Sequence, residues 1–143
     1  CITVAIDAKK IIKPSNITYP EKSVQCDESS TWEVFTHGGR HPTGIDAIKW
    51  ANYMASLGAG ELLVTSMDKD GTNSGYDEPL THSISKEVLI PVIASGGAGT
   101  LDHISTILNN ADAALLASLL HYNKTTISEI KNHCYTKNIP IRL

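Results

Sequence analysis

Four short apolar runs, at residues 2–6, 61–65, 90–94 and 112–116, constrain the fold of this chain more than any other feature. Each is near-continuously apolar and too short for a buried helix, the signature of a strand buried in a parallel sheet. The first closes on Asp7, and the other three lead to Ser66, Ser95 and Ser118. Helical stripes alternate with them. Thr43 is placed to cap a helix whose apolar face is Ile45, Ile48, Ala51 and Ala55, with Gly58 as its stop. Leu101, Ile104 and Leu108 form a second stripe, and Ile127, Ile130 and Cys134 a third, which Thr126 and Glu129 open as a capping box. Residues 79–87 make a shorter, hydroxyl-rich helix.

Strand and helix in alternation imply parallel strands joined by right-handed crossovers. Four such βα units are half of a (β/α)8 barrel. The half would leave two strand edges unpaired and one apolar sheet face open, an invitation to association with another half-barrel or with itself. An open four-stranded sheet with helices on both faces is the alternative.

Residues 8–42 break the rhythm. Pro14, Pro20 and the polar stretch 25–31 make a long excursion, and Trp32-Glu33-Val34-Phe35-Thr36 followed by Gly38-Gly39 predicts a β-hairpin on top of the first loop, with a mobile tip.

The 143 residues suit one domain spanning 1–143. A formal charge of −3 argues against nucleic acid, whose phosphates are bound by clustered Lys and Arg. No stretch nears the ~20 apolar residues of a membrane span. Three cysteines without C-x-x-C spacing point to a reducing, cytoplasmic setting and to no structural metal. The chain starts at Cys1, inside a strand-like run and without an initiator Met, so it is expected to be a piece of a longer protein.

Chemistry is concentrated after the strands, where barrels of this kind keep their reacting groups. Asp7, the Asp68/Asp70/Gly71/Thr72 set, Ser95 with Gly96 and Gly97, and Ser118 all meet that condition. Glycines let backbone N–H groups close on an anion, so phosphate or sulfate is the expected ligand, shared between loops. Residues 117–121 could form the short extra helix that completes such a site. Each motif has a plainer reading: Gly-Gly as a turn, a lone Asp as a helix cap. Asp68-x-Asp70-Gly71 resembles a calcium loop but lacks the closing Glu. No G-x-S-x-G elbow is present, and the six histidines show no H-E-x-x-H pairing. No cofactor is implied.

Taken together, Val4-Ala5-Ile6-Asp7-Ala8-Lys9, Gly38-Gly39-Arg40 with Thr43-Gly44, Gly58-Ala59-Gly60-Glu61-Leu62-Leu63, the Asp-Gly-Thr loop with Ser74-Gly75-Tyr76-Asp77, the 91–99 segment and Ala111-Asp112-Ala113-Ala114 closely resemble the cyclase subunits of imidazole glycerol phosphate synthase, of histidine biosynthesis. The resemblance runs in order over nearly the whole chain, apart from extra length at 11–31. It implies strands five to eight of the (β/α)8 barrel. It also implies a reaction in which ammonia from a glutaminase partner and phosphoribulosyl-formimino aminoimidazole carboxamide ribonucleotide give imidazole glycerol phosphate and the aminoimidazole carboxamide ribonucleotide.

By position, Asp7 resembles one of two catalytic aspartates. Asp70, Gly71, Gly97, Ala117 and Ser118 resemble phosphate-binding positions, Thr65 and Ser95 line the site, and Glu61 resembles a charged residue at the ammonia entrance. The family's other aspartate and second phosphate site have no counterpart here, so the chain alone is expected to be nearly inactive. The rival readings are the sister isomerase of the pathway and a non-catalytic phosphate-binding half-barrel.

Overall fold

The computed structural model describes residues 1–13 and 15–142; Pro14 of the excursion lies outside the described residues. Four strands run parallel: β1 (Thr3–Lys10), β4 (Glu61–Ser66), β5 (Val92–Ser95) and β6 (Ala113–Ala114). Between the first two, β2 (Trp32–Thr36) and β3 (His41–Asp46) form an antiparallel hairpin. The sheet order is β3-β2-β1-β4-β5-β6. The helices are α1 (Ala47–Ser56), α2 (Glu78–Glu87), α3 (Leu101–Ile107), α4 (Ser118–His121) and α5 (Ile127–Thr136).

Alternation along the strands assigns the two faces of the sheet. Ile6, Ala8, Leu62, Val64, Val92 and Ala94 are buried, whereas Ala5 is exposed and Leu63 and Ile93 are only half-buried. Five of these six buried residues, all but Ala94, cluster with Ala47, Ala51, Leu80 and Ile84 of α1 and α2. Ala94 instead joins Ile104, Ile107, Leu119, Ile130 and Cys134 of α3, α4 and α5 in a second cluster. Helices therefore cover one face only, which is half of a (β/α)8 barrel and excludes the two-sided open sheet. Leu80 and Ile84, four apart, give α2 its buried face despite the hydroxyls around them.

Several expectations change. The first strand does not stop at Asp7 but continues to Lys10, because β2 pairs with it from Asp7–Phe35 to Lys10–Trp32. The hairpin thus extends the sheet laterally and does not sit above the first loop. It also covers the edge of β1 from Asp7 onward, so the open edges of the whole sheet are β3, β6 and the first half of β1, Thr3 to Ile6.

Thr43 lies in β3, where its hydroxyl donates to the Val34 carbonyl at 2.7 Å. The cap of α1 is Asp46, whose Oδ1 accepts from the amides of Ile48 and Lys49 at 2.8 and 2.9 Å. Gly58 does end the helix, at φ 96°, with the Gly58 and Ala59 amides returned to the Ala55 and Met54 carbonyls. The capping box of α5 forms as expected, but Ile127 is 50% exposed and its stripe reduces to Ile130 and Cys134.

The polar excursion is held by side chains bonded to backbone. Buried Glu33 accepts from Gly44 N at 2.6 Å and Ser15 Oγ at 2.5 Å. Gln25 bonds to Tyr19, Ile17 and Gly44. Such bonds replace the sheet ladder that this stretch lacks. No helix among the described residues is long and apolar enough to cross a membrane.

Candidate active site

Parallel register aligns three of the expected residues. Asp7 of β1 pairs with Thr65 of β4, and Thr65 pairs with Ser95 of β5. Laterally paired residues point to the same face, here the one not covered by helices. All three are half-buried. Burial, and secondarily the carboxylate of Asp70, raise the Asp7 carboxyl above the ordinary carboxylate range. Asp7 therefore keeps a proton nearer to neutrality than a free aspartate does.

The β4–α2 loop is tied down locally. Met67 N donates to Ala8 O at 2.9 Å and Asp70 N to Ser66 O at 2.9 Å, while Lys10 N donates to Asp68 Oδ2 at 2.7 Å. Thr72 spends its hydroxyl on the Lys69 carbonyl and on Ser74. Asp77 caps α2 through Leu80 N and accepts from Ser66 Oγ at 2.9 Å. Ser66 is consequently buried on the helix side and does not reach the site, unlike Ser95 and Ser118. Asp68 and Thr72 are loop braces.

The loop closes against the glycine-rich turn after β5. Gly75 N donates to Gly97 O at 2.8 Å. Gly97 has φ 105°, and a Cβ there would collide with the Gly75 carbonyl, so only glycine permits this approach. Tyr76 adds a second tie, its buried hydroxyl donating to Leu115 O at 2.9 Å beyond β6. Burial pushes that phenol up to about 12.

Within this frame, Asp70, Gly71, Ser95, Gly96, Gly97, Ala117 and Ser118 line one cavity at the strand C-terminal ends. Every one of them was singled out from the sequence. Asn73, Ala98 and Leu115 line it too and were not. Asn73 had a signal, a polar residue between two loop glycines; Ala98 and Leu115 had none. Gly71, at φ 74°, presents bare backbone where a side chain would otherwise stand. A cavity walled by glycine backbone and a serine hydroxyl can seat a small anion.

Asp7 and Thr65 stand outside the cavity, on the sheet face beside it, with Ser95 common to both. Glu61 is remote: it begins β4, four residues before Thr65, or about 13 Å along an extended strand. Its Oε1 accepts from Thr3 Oγ1 at 2.5 Å. The expected short helix after the last strand is α4.

A one-sided βα sheet with a glycine-walled cavity and an aspartate on its uncovered face at the strand C-terminal ends defines a half-barrel of the (β/α)8 class. The chain belongs to the family described as histidine biosynthesis proteins, whose model matches residues 1–126. It is similar to proteins named imidazole glycerol phosphate synthase subunit HisF. The one from Nostoc sp. is 50% identical over 145 residues, covering 100% of this chain and 51% of the relative. That of Methanocaldococcus jannaschii is 51% identical over 148 residues, covering 100% and 54%. That of Endomicrobium trichonymphae is 53% identical over 143 residues, covering 99% and 49%. The chain thus spans about half the length of the relatives it matches.

Proposed function

We propose that this chain is the second half of an imidazole glycerol phosphate synthase cyclase, holding one phosphate of the substrate and one catalytic aspartate. The observation that carries the reading is the placement of Asp7 in line with Thr65 and Ser95, beside the cavity of Asp70, Gly71, Gly97 and Ser118. A phosphate seated there would fix the substrate so that its reacting part lies over the open face. Asp7, its carboxyl raised by burial and by Asp70, is suited to give and take a proton during ring closure and cleavage.

The opposite end of the sheet fits a partner. Ile2, Leu57 and Leu89, each near the start of a parallel strand, are 70%, 65% and 105% exposed. Glu61 is at the same end. In this reading a glutaminase subunit docks there and ammonia enters past Glu61. An N-terminal half-barrel would close the open sheet face and bring the second aspartate and the second phosphate site.

The test is ammonia-dependent formation of imidazole glycerol phosphate by the chain alone and by the chain mixed with the N-terminal half of a relative. Turnover is expected only in the mixture and to be lost with Asp7→Asn. Full turnover by the chain alone would refute the half-site reading, and isomerisation of the aminoaldose precursor without ammonia would favour the sister isomerase.

A further inference from the structure

Asn73 stands where the cavity, the Asp-Gly-Thr loop and the glycine-rich turn meet. It has a left-handed backbone, φ 56°, and its carbonyl lies so close to Gly99 that a Cβ there would collide with it. Both features fix the residue at the rim of the cavity that Gly97 and Ser118 also line. Across the rim, the Ser118 hydroxyl donates to Asn73 Oδ1 at 3.2 Å. A hydroxyl has one proton, so Ser118 held in this way offers an incoming phosphate nothing but lone pairs. A carboxamide turned over by half a turn puts Nδ2 where Oδ1 was, and Nδ2 donates. The contact then runs from Asn73 to Ser118, and the hydroxyl proton is released.

We propose that Asn73 is a positioning residue of the phosphate site: on binding, its amide turns over, donates to Ser118 Oγ and frees the Ser118 proton for a phosphate oxygen. The inference rests on the phosphate reading of this cavity. It accounts for an uncharged donor–acceptor group in a lining that already includes the carboxylate of Asp70. An aspartate of the same shape would only accept, holding the serine proton and adding a negative charge.

The experiment is titration of the full chain with inorganic phosphate, followed at the amides of Gly71 and Gly97. The variants are Ser118→Ala, Asn73→Asp, Asn73→Gly and the Asn73→Gly/Ser118→Ala pair. Glycine is the truncation of choice because it keeps the left-handed backbone, and thermal midpoints of all variants confirm that they fold. Ser118→Ala and Asn73→Asp are each expected to weaken phosphate roughly tenfold or more, the scale of one hydrogen bond to a charged group. Asn73→Gly should weaken it less, and the double variant should be no weaker than Ser118→Ala alone, since both act through one hydroxyl. Losses that multiply in the double variant would overturn the proposal, as would wild-type affinity in Asn73→Asp. Unchanged affinity in Ser118→Ala, or no phosphate binding by the wild-type chain, would instead remove the phosphate reading and the proposal with it.

Discussion

Asp7 is a carboxylate placed at some cost. It is partly withdrawn from water and faces the charge of Asp70, and both effects disfavour its ionised form. A folded-state value above the unfolded one means that the native chain binds more protons in the interval between the two. Stability should therefore fall as pH rises through that interval and level off above it. Asp7→Asn removes the penalty. It is expected to raise the thermal midpoint at neutral pH, with the gain vanishing below the unfolded carboxyl value. Paired melts of wild type and variant across the acid range check this; a midpoint lowered by Asp7→Asn at neutral pH would contradict it.

Among the elements, the α1 start shows how a local signal can be overruled. Thr43 and Asp46 are both capping residue types three positions apart, and the local preference for Asp over Thr is too slight to decide between them. The decision is made by strand pairing, which commits Thr43 to Val34 and leaves Asp46 at the first free amides. Asp46→Ala should cost about 1 kcal/mol and Thr43→Ala less helix stability than that. Urea midpoints with helix-resolved exchange measure both; equal effects on α1 would place the cap elsewhere.

The same physics explains what could be read from the residues. The four parallel strands, the capping box at Thr126 and six cavity residues follow from patterns within one segment, and Ala117 from the resemblance alone. The lateral seat of the hairpin, the length of β1 and the convergence of Asn73 and Leu115 depend on partners tens of residues away. Ser66 looked equivalent to Ser95, yet strand alternation turned it to the helix side, into a bond with Asp77.

For the molecule as a whole, the uncovered sheet face is decisive. Ala5, Leu63 and Ile93 lie exposed or half-buried among Asp7, Thr65 and Ser95, and the β6 edge is open. Such a surface favours contact with another sheet. The chain is expected to self-associate at micromolar concentration, and an added N-terminal half should compete that association away. Sedimentation showing a monomer at every concentration would refute it.

The two apolar clusters carry a further consequence. The Asp-Gly-Thr loop leads into α2, which packs in the first cluster, and the glycine turn leads into α3, which packs in the second. Tyr76, just ahead of α2, nonetheless packs in the second cluster, and the bonds from Gly75 to Gly97 and from Tyr76 to Leu115 hold the loop there, so the loop joins the two. The cradle is thus the latch between two packing units, and a ligand that spans it would fasten the protein to itself.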